Sequence, residues 1–277
     1  MRGIALRRGG VLDRCAACGH LHRDLARCPA HHRDLAYGGE PHLDRVRLDL
    51  TYRELVREGR PGSVFEIGYG TGEMLRRFLD DGATVAGVDP DQLLLDVDPQ
   101  VRAAGDLRSG GVEDLGDDGG DGGDGATRYD LVYGIHVLEH VRDPAAALAA
   151  ALRLTRPGGR AVFLTPAGDS SGVERYGSAW WMLEDPTHVR FFTASSLSRA
   201  ARDAGFVDVR VRRLLLDSLS VDAASTARAM AWRPRPEGVL GGRGVLAAAA
   251  FSVPAVVATR LARPLARPTL QLLARRP

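Results

Sequence analysis

Hydrophobic positions recur along this chain in two rhythms, and the alternation between them outlines the fold. Over residues 41–60, Leu48, Tyr52, Leu55 and Val56 return every three to four positions, which predicts a helix that Pro61-Gly62 ends. From Ser63 the rhythm changes. Val64-Phe65-Glu66-Ile67 is a short β-prone run, followed at once by Gly68-Tyr69-Gly70-Thr71-Gly72. Met74, Leu75, Phe78 and Leu79 then share one helix face, and Thr84 to Val88 reads as a second buried strand ending at Asp89. Strand, glycine turn, helix and strand make a βαβ unit. Beyond it the pattern predicts a helix within 91–104 and a weak strand near 111–115. It then predicts a strand at Tyr129–Tyr133 and an alanine-rich helix at Ala145–Leu154. Pro157-Gly158-Gly159 turns the chain into a strand at Arg160–Leu164. A helix at Ala194–Ala204, stopped by Gly205, precedes a last strand at Val207–Val211. Repeated βα units imply an α/β fold: a Rossmann-like, doubly wound, mostly parallel sheet.

The two ends depart from this alternation. Residues 1–40 are rich in Cys, His and Arg and show little apolar periodicity, while the chain past residue 215 is apolar and basic. The expected organisation is a small N-terminal segment (1–40), an α/β domain (41–215) and a helical C-terminal tail (216–277). Residues 116–126 are a run of Gly and Asp. Their spacing fits no EF-hand and no Glu closes a twelfth position, so a flexible acidic loop is expected there rather than a calcium site.

Composition narrows the chemistry. Of 277 residues, 44% are hydrophobic and 26% charged, an ordinary globular balance. The formal net charge of +2 gives no reason to expect nucleic acid as a partner. The chain contains no Lys, so every one of its 37 basic residues is Arg and Schiff-base catalysis by lysine is excluded. Residues 1–14 carry basic side chains but no apolar core of a secretory signal, from which cytoplasmic residence is expected.

The glycine turn carries the strongest chemical signal. Glycines after a strand let backbone approach a ligand, and the following helix directs free N–H groups at it. Dinucleotide enzymes favour G-x-G-x-x-G, whereas here Glu73 stands where the third glycine would be. The spacing Glu66-x-Gly68-x-Gly70-x-Gly72 resembles motif I of the class I S-adenosylmethionine methyltransferases. Further landmarks of that family follow in order: Asp89 in Gly87-Val88-Asp89-Pro90, His136-Val137-Leu138-Glu139-His140-Val141, and Arg156-Pro157-Gly158-Gly159. A Trp180…Pro186-Thr187-His188…Phe191-Phe192-Thr193 block completes the series. The similarity covers about residues 60–212. It implies that Glu66, Gly68, Gly70, Gly72 and Asp89 hold S-adenosylmethionine, with Asp89 on the ribose hydroxyls. His136 is expected near the cofactor. An acid after the third strand is expected to hold the adenine amino group. The candidates are Asp106, Glu113 and Asp114, with Glu113 or Asp114 favoured. His140 and His188 are the candidates for a general base, if the acceptor needs one. Each of these histidines can also be read as a satisfied polar residue, and Trp180 and Trp181 as packing.

Two further features lie outside that likeness. Cys15-x-x-Cys18 followed by Cys28-x-x-His31 has the spacing of a zinc-ribbon-like Cys3His site, with His32 as an alternative fourth ligand; three free thiols are the other reading. Near the C-terminus, Val245–Thr259 is an apolar run of 15 residues with Pro254 inside it. It is short for a membrane span, which needs about 20 residues. Arginines 228, 233, 235, 243, 260, 263, 267, 275 and 276 surround it, opposed only by Glu237. A peripheral contact with the inner face of a membrane, a helical cap or partner interface, and disorder are the three readings. The expected function is methyl transfer from S-adenosylmethionine to a small-molecule, saccharide or lipid-linked acceptor. The alternatives are a non-catalytic binding module on the same fold and a nicotinamide-dependent dehydrogenase.

Overall fold

The computed structural model describes residues 3–6, 11–23, 41–90, 96–115, 127–183, 185, 187–230 and 243–277. Among them the strands are β1 (Ile4–Ala5), β2 (Val11–Arg14), β3 (Leu21–Arg23), β4 (Ser63–Ile67), β5 (Thr84–Asp89), β6 (Asp106–Ser109), β7 (Tyr129–Ile135), β8 (Thr155–Pro166), β9 (Arg190–Phe191), β10 (Val207–Arg213) and β11 (Thr269–Arg275). The helices are α1 (Pro41–Leu55), α2 (Glu73–Asp80), α3 (Pro99–Ala104), α4 (Pro144–Leu154), α5 (Ser171–Tyr176), α6 (Ala194–Asp203), α7 (Val221–Met230) and α8 (Arg243–Ala262). They fall into two compact units interleaved along the chain. One is built from Met1–Leu50, Thr165–Ser196 and Arg212–Leu270; the other from Thr51–Leu164, Leu197–Val211 and Gln271–Pro277.

The second unit contains the Rossmann-like sheet, seven strands in the order β10-β11-β8-β7-β4-β5-β6. Strands β6, β5, β4, β7 and β8 are parallel, in register Val64↔Val85, Val64↔Leu131, Leu131↔Arg160 and Ala86↔Asp106. Val64, Phe65, Leu131, Val132, Ala161 and Leu164 are buried, as strands covered on both faces require. The helices start on local signals. Asp98 accepts from the N–H groups of Gln100 and Val101 with Pro99 at the first turn of α3, and Asp143 does the same for Ala145 and Ala146 ahead of Pro144.

The structure corrects two expectations. The strand expected near 111–115 is β6, at Asp106–Ser109, and residues Val112–Asp114 form a 3-10 turn. This edge strand is only partly covered, so its apolar alternation is weak. The C-terminal tail is helical only in part. Its last residues form β11, which lies inside the sheet between β10 and β8. The Gly158 N–H donates to the Arg276 carbonyl at 3.0 Å and the Ala167 N–H to that of Pro268 at 2.7 Å, so β11 runs antiparallel to β8. Burial of Leu270, Leu272 and Ala274 explains the insertion. The Arg276 guanidinium then caps α4, donating to the carbonyls of Leu152, Arg153 and Thr155 at 3.2, 2.9 and 2.9 Å.

The first unit holds a small antiparallel sheet, β1-β2-β3-β9. Strands β2 and β3 form a hairpin in which the Cys15 N–H donates to the His20 carbonyl at 2.8 Å, with Gly19 at φ 70. β3 then pairs with β9 in register Leu21↔Phe191. Leu12, Leu21, Val173, Trp180, Met182, Leu183, Phe191 and Val221 make one buried cluster. The N-terminal hairpin therefore shares its core with the Trp180–Phe192 block and the start of α7. The Trp181 N–H donates to Ser225 Oγ at 2.9 Å, tying that block to α7.

Candidate functional site

Glu66, Gly68, Gly70, Gly72 and Asp89 gather at the carboxyl edge of β4 and β5. This is the point where strand order reverses, with β5 and β6 on one side of β4 and β7 and β8 on the other; open α/β sheets bind ligands in that crevice. Gly68, Gly70 and Gly72 have φ of 76, 51 and 78, the left-handed region that side chains with a Cβ avoid. At Gly68 space is lacking as well, since a Cβ would stand 2.7 Å from Val137 Cγ2. Gly72 is the N-cap of α2 and supplies no side-chain acceptor to the first turn. The Gly70 N–H donates to Asp89 Oδ2 at 2.8 Å, which fixes the loop to the end of β5. Asp89 is 6% exposed. A carboxylate offers about four lone-pair sites, so one bond from Gly70 is compatible with accepting the hydroxyls of a diol. The Gly68 and Gly72 N–H groups donate to the Val88 and Tyr69 carbonyls at 2.8 Å each, so what the turn offers beside the acid is backbone without side chains, which suits a nucleoside with vicinal hydroxyls.

Glu66 lies at the end of β4 beneath this turn, buried and bonded to protein groups. Its Oε2 accepts from the Tyr133 hydroxyl at 2.9 Å, and it also accepts from the Leu75 N–H in the first turn of α2. Burial pushes the Glu66 carboxyl well above its ordinary range, the Tyr133 bond opposes the shift, and the Asp89 charge adds to it. The Tyr133 hydroxyl is likewise held well above 10 by burial and then by Glu66. Glu66 thus positions the turn. Tyr133 was not among the expected site residues. Its signal is the register Glu66↔Tyr133 on adjacent strands, which pairing alone reveals.

His136 follows directly on β7, beside the glycine turn through the pair Ile67↔Gly134. It is a non-glycine residue at φ 56, a conformation that costs energy and clusters at functional sites. Its Nδ1 lies 3.0 Å from Oε1 of the fully buried Glu139, and its N–H donates to the Leu164 carbonyl. His140 ends the same turn, with its N–H on the Val137 carbonyl at 2.9 Å. Glu113 lies in the 3-10 turn after β6, where the carboxylate accepts from the Asp143 N–H ahead of α4. Asp106 pairs with Arg108 at 2.8 Å. The Asp114 side chain lies outside the described residues.

The other expected residues belong to the first unit. His188 is 8% exposed; its Nδ1 lies 2.7 Å from the Met182 carbonyl, and its Nε2 3.7 Å from Asp185 Oδ2. A carbonyl only accepts, so Nδ1 carries a proton. Trp180 is completely buried against Phe191 and packs rather than recognises. Cys15 and Cys18 flank the β2–β3 turn and are partly exposed. Cys28, His31 and His32 lie outside the described residues.

Residues 41–211 match a family model described as a methyltransferase domain. Among curated proteins, the ubiquinone biosynthesis O-methyltransferase of Alkalilimnicola ehrlichii is 32% identical over 178 residues, 60% of this chain and 68% of that protein. The malonyl-[acyl-carrier protein] O-methyltransferase of Pseudescherichia vulneris is 29% identical, over 57% of this chain and 59% of its own length. The fold resembles that of a geranyl diphosphate methyltransferase solved with geranyl diphosphate and sinefungin. That likeness has a TM-score of 0.55 at 17% identity, over 85% of this chain and 80% of the other. Phosphoethanolamine N-methyltransferase 2 of Haemonchus contortus, solved with S-adenosyl-L-methionine, gives 0.52 at 14%, over 88% of this chain; the chain spans about half of that one, 54%.

The buried Glu66 gives a pH-dependent stability. Its folded-state pKa is raised, so above the ordinary value of 4.5 the folded chain holds a proton that the unfolded chain has released. Stability therefore falls as pH rises from 4.5 towards the folded-state pKa. Urea unfolding of Glu66→Gln, which keeps an acceptor for Tyr133 and Leu75, is expected to lose much of that decline. A parallel pH dependence in wild type and variant would contradict the assignment.

Proposed function

We propose, from the premise that the chain belongs to the methyltransferase domain family and is an S-adenosylmethionine-dependent methyltransferase, that it methylates an oxygen of a small, saccharide, carrier-linked or lipid-linked acceptor. The observation that carries the cofactor part is the Asp89 carboxylate bonded to the Gly70 N–H beside three left-handed glycines. Bound there, S-adenosylmethionine supplies a sulfonium methyl group that is already strongly electrophilic. Asp89 would receive the ribose hydroxyls, the glycine backbone would admit the methionine portion, and His136 would bound the site at the end of β7. Glu113 or Asp114 would face the adenine. The chain's own task is then alignment and exclusion of water. The oxygen preference rests on the names of the two curated relatives, both O-methyltransferases. A nicotinamide reading is disfavoured by Glu73 at the place of a third glycine. Asp89→Ala is expected to weaken S-adenosylhomocysteine binding in calorimetry by about 3 kcal/mol, on the order of 100-fold, through lost charge-assisted hydrogen bonds. Unchanged affinity would remove Asp89 from the site; retained cofactor binding with no transfer to any acceptor would favour a binding module.

His188 is our candidate for the group that takes the acceptor's proton, with His140 as the alternative. The Nδ1 contact with the Met182 carbonyl supports this, because it leaves Nε2 as the basic nitrogen. With an acceptor found by screening hydroxyl compounds, His188→Asn is expected to lower kcat about 100-fold with little change in cofactor affinity. If neither that variant nor His140→Ala changes the rate, the acceptor loses its proton without a protein base.

A structural zinc ion held by Cys15, Cys18, Cys28 and His31 is a separate proposal. It is supported by the x-x spacing of Cys15 and Cys18 at the tight turn between β2 and β3, where the Gly19 N–H donates to the Cys15 carbonyl at 2.9 Å. Metal analysis of the purified chain is expected to find about one zinc per chain, lost together with thermal stability in Cys18→Ser. Metal-free protein of full stability would leave the cysteines as plain thiols.

A further inference from the structure

Helix α8 faces solvent with the wrong side. Its one charged residue in the interior, Arg260, points inward and is 1% exposed. The guanidinium donates to the carbonyls of Leu215, Asp217 and Ser218 at 3.1, 2.7 and 2.9 Å and lies 3.5 Å from the Asp222 carboxylate on α7. Ala249 and Val256 share that buried side. Outward, by contrast, stand Ala247, Phe251, Pro254, Ala258 and Leu261, continued by Leu265 in the 3-10 turn Pro264–Ala266. Phe251 is 87% exposed, Leu261 60% and Leu265 56%, and Met230 at the end of α7 is 74% exposed. From Ala247 to Ala262 no described exposed position is charged; Thr259 is the one polar residue. Water accounts poorly for a helix that buries its charge and presents an apolar stripe, because soluble surfaces rarely carry such a patch without a partner.

We propose that this stripe lies on an anionic lipid bilayer, with α8 in the plane of the interface. The charge of the surroundings selects this occupant over a protein groove. From residue 223 to the end there are nine arginines and one acid, Glu237; apart from Arg260, which points inward, and Arg275 and Arg276, which bind Glu58 and the end of α4, six of them flank the apolar run in sequence. Arg263 is exposed between Leu261 and Leu265, so a guanidinium sits at the margin of the apolar stripe, where lipid phosphates would meet it. No helix among the described residues is long and apolar enough to cross a membrane, which leaves lying on the surface as the geometry. Pro254 inside the helix removes one backbone donor, and such a position accommodates a kink that would let the helix follow that surface. The inference is independent of the methyl-transfer reading.

The test is co-sedimentation of the full chain with vesicles of phosphatidylcholine alone and of phosphatidylcholine mixed with phosphatidylglycerol. Sedimentation velocity of the protein without lipid runs in parallel. We expect the chain to pellet with the phosphatidylglycerol vesicles and to be released several-fold by high salt. Binding to neutral vesicles should be weak. Phe251→Glu with Leu261→Glu, both on the exposed face, should abolish pelleting while circular dichroism and S-adenosylhomocysteine affinity stay as in wild type. Equal pelleting of this variant and wild type, or equal binding to neutral and anionic vesicles, would overturn the proposal. So would absence of vesicle binding together with a wild-type dimer that the double substitution dissociates, which would assign the stripe to a second copy of the chain.

Discussion

The bond from the Gly70 N–H to Asp89 Oδ2 fixes the glycine turn on which the cofactor reading depends. The turn between β4 and α2 puts Gly68, Gly70 and Gly72 in the left-handed region, and glycine is also the residue that loses most freedom on ordering. Such a loop needs external restraints. Asp89 ties it down at the end of β5, and Glu66, bonded to Tyr133 and to the first turn of α2, supports it from below. The parallel register of β5, β4 and β7 keeps these groups level. The loop backbone, with no Cβ at three of its positions, then lies in the crevice where strand order reverses.

The first unit applies a different economy. Two strands of the N-terminal hairpin and the short strand β9 are each too small to bury an apolar face alone. Together with α5 and α7 they enclose Trp180 and Phe191. The same unit holds His188 through a backbone carbonyl, which fixes a proton on Nδ1. Arg260 ties α8 to the segment ahead of α7 by donating to the carbonyls of Leu215, Asp217 and Ser218. The consequence is an outward face on α8 that, among the described residues from Ala247 to Ala262, carries no charge.

What could be read from the sequence was what is encoded locally. Gly68-x-Gly70-x-Gly72 after a β-prone run and Asp89 at the end of the next one required no knowledge of distant residues. Their positions in the fold follow from the βαβ unit they define. The pattern around α4 was equally plain, with Asp143 and Pro144 opening it. The role of Glu66 was not legible, because it depends on Tyr133 standing opposite in the register of β4 and β7. β11 was hidden for a similar reason: Thr269–Arg275 has no strand alternation of its own and becomes a strand only between β8 and β10. β6, half covered at the edge, left too faint an apolar pattern to fix its register. The pairing of β3 with β9 joins residues from opposite parts of the chain, so the N-terminal hairpin looked separate when read alone.

The most direct measurement is a calorimetric titration of the intact wild-type chain with S-adenosylhomocysteine, run beside an identical titration with a reduced nicotinamide dinucleotide. Saturable binding of the first at about one site per chain is expected, and no binding of the second. Binding of the dinucleotide alone, by protein with an intact folded spectrum, would contradict it.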